Sequence, residues 1–265
     1  MKDLKIYMLY SGSRGNSALL RIGDTSIIID AGKTERALSK ALCEVGDDIK
    51  NIKAIFITHE HVDHISALEI ISQKYDIPIY MTSKSAQKLP EDSPIRKNLC
   101  EKPLLFSEDI DGVRVRSYVI SHDSLACVGY RFEFEDECGT RAVGYATDVG
   151  ELDNNVVACF DGCEAIVIEA NHDTEMLMTG PYPYHLKRRI QSNEGHLSNE
   201  DCADICKALS LRGTRAIMLA HLSGDNNLPD VAKKTVAEAI DNEDISVCVA
   251  SQNEPVELII PKPKN

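Results

Sequence analysis

No stretch of this 265-residue chain approaches the roughly 20 consecutive apolar residues that a membrane span needs, which excludes a membrane-embedded protein. The opening Met1-Lys2-Asp3-Leu4-Lys5-Ile6 lacks the apolar core and small-residue cleavage site of a secretion signal, so a cytoplasmic protein is expected. Missing too is any C-x-x-C pair. The nine cysteines (Cys43, Cys100, Cys127, Cys138, Cys159, Cys163, Cys202, Cys206 and Cys248) are scattered and odd in number, which argues against a disulfide framework. Cys159/Cys163 and Cys202/Cys206 stand four apart and are read as buried free thiols rather than a structural zinc site. Positive charge is scarce: 29 Lys and Arg face 42 Asp and Glu, for a net charge of -13. That balance excludes nonspecific attachment to a polyphosphate backbone and leaves only local contacts to nucleic acid. Low-complexity segments and repeats at solenoid periods are absent as well, so residues 1–265 are read as one domain.

What is present is an ordinary globular composition, 43% hydrophobic and 27% charged, cut into short β-branched runs. Leu4 to Tyr10, Asn16 to Ile22 and Thr25 to Asp30 read as an antiparallel meander. A helix over Glu35 to Val45, a buried strand over Lys53 to Thr58 and a helix over Ile65 to Tyr75 follow. Further strands are expected at Val113 to Ile120, Gly129 to Glu135, Ala142 to Thr147, Ala165 to Glu169, Ala216 to Ala220, Ile245 to Ala250 and Val256 to Ile260. Helices are expected at Asn199 to Leu209, with Ser198 as N-cap, and at Val231 to Ile240. Apolar runs of this kind are buried on both faces when two mixed sheets pack face to face with helices outside.

The chemistry concentrates in Thr58-His59-Glu60-His61-Val62-Asp63-His64, at the end of the apolar strand. Three imidazoles and a carboxylate so close together are expensive unless paired or ligating. His59 and His61 alternate at a strand end and can point to one metal, while Asp63 and His64 on the next turn reach a second. Two ions need more ligands. His122, Asp148 and His221 each follow an expected strand, in the loops where open-sheet sites collect. A carboxylate suits bridging, which makes Asp148 the shared ligand, with His122 and His221 completing the two spheres. Mixed imidazole and carboxylate ligands suit zinc, manganese or iron.

With T-H-E-H-V-D-H, the His122 loop, A-T-D at 146 to 148 and A-H-L-S at 220 to 223, the chain resembles the metallo-β-lactamase superfamily over nearly its whole length. The resemblance implies an αββα sandwich of two mixed sheets with a dimetal site at one edge. Asp148 with His64 resembles the hydrolase and nuclease pattern rather than the lactamases, which typically use Cys where Asp148 stands. G-S-R-G-N at 12 to 16, S-H-D at 121 to 123, G-Y-R at 129 to 131, E-A-N-H-D at 169 to 173 and R-R-I-Q-S-N-E-G-H-L-S-N at 188 to 199 are similar to the YycJ (WalJ) group, which implies a DNA exonuclease. G-H-L-S at 195 to 198 also resembles a segment of ribonuclease Z. That likeness implies His196, supported by Glu169, as the acid that protonates the leaving oxygen. The intervals His122 to Asp148 and Asp148 to His221 are too short for the transfer-RNA arm of ribonuclease Z and for a β-CASP insertion.

The expected function is dimetal-dependent phosphodiester hydrolysis, with Asp63 orienting a metal-activated water and His196, or else His172, as general acid. Lys187-Arg188-Arg189 is the densest basic cluster and with His185 is read as a contact to the DNA backbone, an ordinary solvated helix face being nearly as good a reading. Ser11, Ser13 and Asn16 on the first turn could donate to phosphate, or simply make the turn. A small-molecule phosphodiesterase or lactonase, and a noncatalytic metal-bearing interaction module, stay open as alternatives. Oligomeric state has no signature in the sequence.

Overall fold

Strand alternation decides the layering. Inward residues such as Ile6, Met8, Ala54 and Phe56 meet Val113, Phe132, Val167 and Met218 in one apolar core, while Leu9, Ile28 and Ile55 belong to a second core and Ile166, Ile168, Ile217 and Leu219 to a third. Period-two strands buried on both faces need a layer on each side, and three cores separate four layers. The computed structural model describes residues 2–137 and 139–262, so Cys138 lies outside the described residues. The other eight cysteines are free thiols.

Strands β1 (Leu4–Tyr10), β2 (Ser17–Ile22), β3 (Thr25–Ile29), β4 (Ile52–Phe56), β5 (Ile79–Thr82) and β6 (Leu99–Lys102) lie side by side in one sheet. The second sheet holds β7 (Ser107–Ile110), β8 (Val113–Ile120), β9 (Cys127–Asp136), β10 (Gly139–Ala146), β11 (Ala165–Glu169), β12 (Ala216–Ala220) and β13 (Ser246–Val249) in order 13-12-11-10-9-8-7. Strand β14 (Val256–Leu258) returns to pair antiparallel with β1, so each sheet has seven strands among the described residues. In the first sheet β1 to β3 form the antiparallel meander and β3 to β6 run parallel. In the second, β10 to β13 run parallel, which aligns their C-terminal ends at one edge.

Helices α1 (Glu35–Glu44), α2 (Val62–Ile65), α3 (Leu68–Lys74) and α4 (Ser83–Ala86) accompany the first sheet, and α5 (Asn154–Phe160), α6 (Thr174–Thr179), α7 (Tyr184–Ile190), α8 (Asn199–Ser210) and α9 (Pro229–Ile240) the second half of the chain. Ser198 caps α8 by accepting the amide of Asp201, and Thr34 caps α1 in the same way. The helix expected from Ile65 to Tyr75 is divided instead. The Ala67 amide donates to Ala31 O at 2.9 Å, so the ladder breaks there and α2 can turn its side chains toward the sheet edge. The short strands β5, β6 and β7 and helices α4 to α6 carry too few residues for a period to show, and none was expected from the sequence, while α7 figures there only as an alternative reading of the basic run. No helix among the described residues is long and apolar enough to cross a membrane.

Candidate metal centre and active site

Three strand ends along the edge that bears the histidine motif carry a residue in the left-handed backbone region: Asp30 after β3 (φ 59), Asp148 beyond β10 (φ 57) and His221 after β12 (φ 57). This conformation is uncommon for residues other than glycine, with Asp and His among the better-tolerated types. It turns each side chain off the sheet edge. Gly32 makes a further close approach possible: a Cβ there would lie 1.5 Å from Asp63 O. The backbones of the three segments are tied accordingly, by Asn16 N to Asp63 O at 2.8 Å, Ala31 N to His64 O at 2.7 Å and Gly32 N to Asn16 O at 2.9 Å. The first turn therefore acts as a brace for the histidine motif.

The seven residues expected as metal ligands converge. Ligand atoms of His59, His61 and His122 lie within 4.8 Å of one another, as do those of Asp63, His64 and His221, and Asp148 groups with His59 and His64 and, separately, with His221. Asp148 Oδ2 is 3.4 Å from His64 Nε2, while Oδ1 is 3.8 Å from His122 Nε2 and 3.5 Å from His221 Nδ1. The carboxylate thus stands between the two triads. His59 Nε2, Asp148 Oδ2 and His221 Nε2 are buried and have no hydrogen-bond partner. Leaving three such atoms unsatisfied is unfavourable, and a divalent cation removes the deficit, so this donor set fits metal.

Four of the five converging imidazoles are oriented through Nδ1. His64 Nδ1 lies 2.8 Å from Asp30 Oδ2, His221 Nδ1 is 2.7 Å from Glu169 Oε1, His122 Nδ1 is 3.2 Å from Gly195 O and His59 Nδ1 is 3.0 Å from Thr58 Oγ1. On His59 and His221 this leaves Nε2 without a partner and open for ligation, the arrangement that outer hydrogen-bond partners produce in metal sites, while Nε2 of His64 and of His122 lie near Asn16 and Asp123. Burial lowers His59 well below the ordinary histidine value, with His64 adding to it, and burial likewise lowers His122. Neutral imidazole is the ligating form. Burial also opposes charge on His64, but Asp30 and Asp148 outweigh it and raise that ring well above the ordinary value. Burial raises the Asp148 carboxyl, and the surrounding rings, His221 first, overcome it and hold it well below the carboxylate range.

Beside this cluster His196 Nδ1 lies 2.9 Å from Glu169 Oε1, the same oxygen that meets His221, and Glu169 Oε2 accepts the amides of Val149 (2.8 Å) and Leu197 (3.1 Å). Both carboxylate oxygens are engaged, which makes Glu169 a positioning group rather than a ligand, even though it falls within 4.8 Å of Asp148, His196 and His221. Burial opposes its ionisation, yet His196 and His221 bring its carboxyl down to about 2. Burial lowers His196 while Glu169 raises it, and the balance is an imidazole pushed up to about 9. His172 differs. It is buried, its Nδ1 has no partner, and burial lowers its pKa, so less of it carries a proton to donate than of His196.

Three expected substrate contacts are otherwise engaged. Lys187 is buried, with Nζ donating to Met178 O and Gly180 O at 2.7 Å each, so it closes the α6–α7 turn instead of facing solvent. Ser11 Oγ accepts the His221 amide at 2.7 Å, and buried Asn16 accepts the Gly12 amide at 2.8 Å while its Nδ2 reaches Asp63 Oδ2 and His64 Nε2 at 3.2 and 3.0 Å. These two brace candidate ligands. Ser13, His185 and Arg188 are exposed. Arg189 pairs with Asp123, whose Oδ1 is 3.3 Å from His122 Nε2.

Sequence reasoning missed Asp30 and Thr58, the pair behind His64 and His59. Thr58 N and Oγ1 donate to Asp30 at 2.9 and 3.1 Å, so the aspartate anchors the whole motif. Its signal was a lone Asp ending an otherwise apolar strand. Asp30→Asn removes the negative charge behind His64 and is expected to weaken metal binding about 10- to 100-fold, the usual effect of losing such a partner, measured by metal titration of the metal-free variant. Unchanged affinity would make Asp30 a folding residue only.

The family model described as "Beta-lactamase superfamily domain" matches residues 25–222, a span that holds all seven convergent residues. The chain belongs to the metallo-β-lactamase superfamily. Within it, the sequence is 32% identical over 249 residues to a protein named exodeoxyribonuclease WalJ from Streptococcus pneumoniae, covering 92% of this chain and 91% of that one. It is also 32% identical over 248 residues to one named exodeoxyribonuclease YycJ from Bacillus anthracis, covering 92% of each. The crystal structure of the metallo-β-lactamase fold protein YhfI from Bacillus subtilis superposes with a TM-score of 0.69 at 16% identity, over 96% of this chain and 98% of that one. The expected WalJ/YycJ kinship and the αββα fold are thereby established, and this superfamily of hydrolases supplies the context for the divalent-metal fit.

Proposed function

We propose that the chain is an exodeoxyribonuclease that holds two divalent cations and works as a single hydrolase domain in the cytoplasm. His59, His61 and His122 would hold one ion, Asp63, His64 and His221 the other, and Asp148 would be shared; zinc, manganese and iron all suit this donor set. The observation that carries the reading is the placement of Asp148 between two ligand triads, with partnerless ligand atoms on both sides. DNA as substrate draws its support from two relatives 32% identical over nine-tenths of the chain, both named for that activity.

Bound divalent ions acidify water toward neutral pKa and neutralise phosphate oxygens, which is the chemistry phosphodiester hydrolysis requires. The protein's own residues do the rest. Asp63, with its side chain 25% exposed, reaches the surface of the cluster and can accept a proton from an attacking water. Protonated His196, its Nδ1 fixed by Glu169, presents Nε2 toward the departing alkoxide. Asp123 holds Arg189 near the entrance, and Arg188 and His185 remain free for the substrate backbone.

End-labelled single- and double-stranded DNA, assayed with zinc and with manganese beside a small phosphodiester, tests the reading. Release of mononucleotides from strand ends is the expected result. Internal fragments alone, or turnover of the small ester alone, would overturn it.

A further inference from the structure

Beside the metal ligands His61 and Asp63 opens a cleft of about 610 Å³ whose wall is not explained by the chemistry above. The volume lies in the range of small-molecule sites and exceeds what one phosphate group fills. Two apolar side chains line it and face solvent, Val62 at 75% and Leu125 at 45% exposure. Two buried polar atoms of its lining lack partners: Oε2 of Glu60, a residue only 8% exposed, and Oγ of Ser124. Glu60 is fixed in place, since its Oε1 accepts the Leu125 amide at 2.8 Å. Lys88 stands at the same cleft as its one lysine.

We propose that this cleft is a subsite for the terminal nucleobase of a DNA strand, gripped between Val62 and Leu125 and hydrogen-bonded by Glu60 and Ser124. The assignment rests on the exonuclease reading and deepens it. A flat heterocycle suits two apolar lips, and a carboxylate oxygen needs a donor. Every DNA base carries an N–H donor on its Watson–Crick edge, which pairing occupies in a duplex and leaves free in an unpaired nucleotide. Ser124 can donate to a base carbonyl on the same edge. Guanine, with two adjacent N–H donors beside a carbonyl, matches the set best. Lys88 then offers charge to a phosphate, while His61 and Asp63 keep the scissile group at the metal side. The consequence is a preference for an unpaired terminal nucleotide, selected by its free edge.

Calorimetry on the metal-loaded full chain tests the subsite through 2′-deoxyguanosine 5′-monophosphate and the base-free deoxyribose 5-phosphate. The nucleotide is expected to bind at least about tenfold tighter, a modest value for contacts to one base. Glu60→Gln replaces the free acceptor by a donor while its amide oxygen can still hold the Leu125 amide. Val62→Ser removes one lip at an exposed position and carries no burden for the core. Both variants should reduce the ratio to less than about threefold while leaving the affinity for deoxyribose 5-phosphate in place. Equal binding of the two ligands by the parent protein, or an unchanged ratio in both variants, would overturn the subsite. A full ratio in a protein that releases no nucleotides from DNA would instead overturn the exonuclease reading and leave the subsite standing. In the strand assay, release from a flush paired end as fast as from an unpaired end would also contradict the proposal.

Discussion

Asp148→Ala is expected to abolish hydrolysis, with a loss on the order of 1,000-fold or more, above the 10- to 100-fold usual for an outer partner. Metal content should fall below about one ion per chain. The reason is that the carboxylate faces rings of both triads, Oδ1 toward His122 of one and His221 of the other, and Oδ2 toward His64. Losing the group removes a ligand from each side and leaves converging imidazoles with less negative charge among them. Alanine also sits poorly at φ 57, a strain of about 1–2 kcal/mol, so part of any defect could come from the backbone. Asp148→Asn separates the two, because Asn tolerates this conformation and lacks the charge. Metal loss with an intact fold in the Asn variant supports the bridging role, whereas retained metal and rate would reduce Asp148 to a strand-end carboxylate.

His196→Ala is the second large effect, and its signature is different. His196 Nδ1 faces Glu169 and its side chain is 20% exposed, so the ring is held from behind and open in front. The variant should keep both ions while losing roughly 100- to 10,000-fold on an ordinary phosphodiester, the span of a general-acid contribution. A nitrophenyl ester, whose leaving anion needs no proton, should recover much of the loss. The pH profile adds a check. Glu169 outweighs burial and brings His196 up to about 9, so the acid form is present at neutral pH and is lost as pH rises through that value. Bound cations repel the proton and place the limb at or below about 9. Wild-type activity should therefore fall on the alkaline side, and that limb should vanish in the variant. Reduced metal content, or an equal defect on both esters, would make His196 a ligand or a structural residue and direct attention to His172.

Much of the centre was legible because His59, Asp148 and His221 each follow an apolar strand and His61, Asp63 and His64 share one short motif with His59. His59, Asp148 and His221 follow strands whose side chains are buried on both faces, and a polar residue at that point has either a partner or a function. Asp30 obeys the same rule but stands alone, and its partner His64 is 34 positions away, so only the tertiary approach at Gly32 reveals it. The basic run at 187 to 189 misleads for a related reason. Neighbours on a helix point about 100° apart, and the structure turns Lys187 inward, Arg188 outward and Arg189 onto Asp123. Ser11 and Asn16 likewise read as phosphate donors in one dimension and prove to be braces in three. Short edge strands such as β7, Ser-Glu-Asp-Ile, give no signal because half their surface is wet and four residues set no period.

In the proposed function, two metal ions held by these seven residues drive removal of nucleotides from DNA ends. Titration of the metal-free protein with zinc or manganese, recording bound metal and release of labelled terminal nucleotides together, tests it most directly. Saturation close to two ions per chain is expected, with nucleotide release appearing as the second equivalent binds. Full release at one ion or fewer would contradict it.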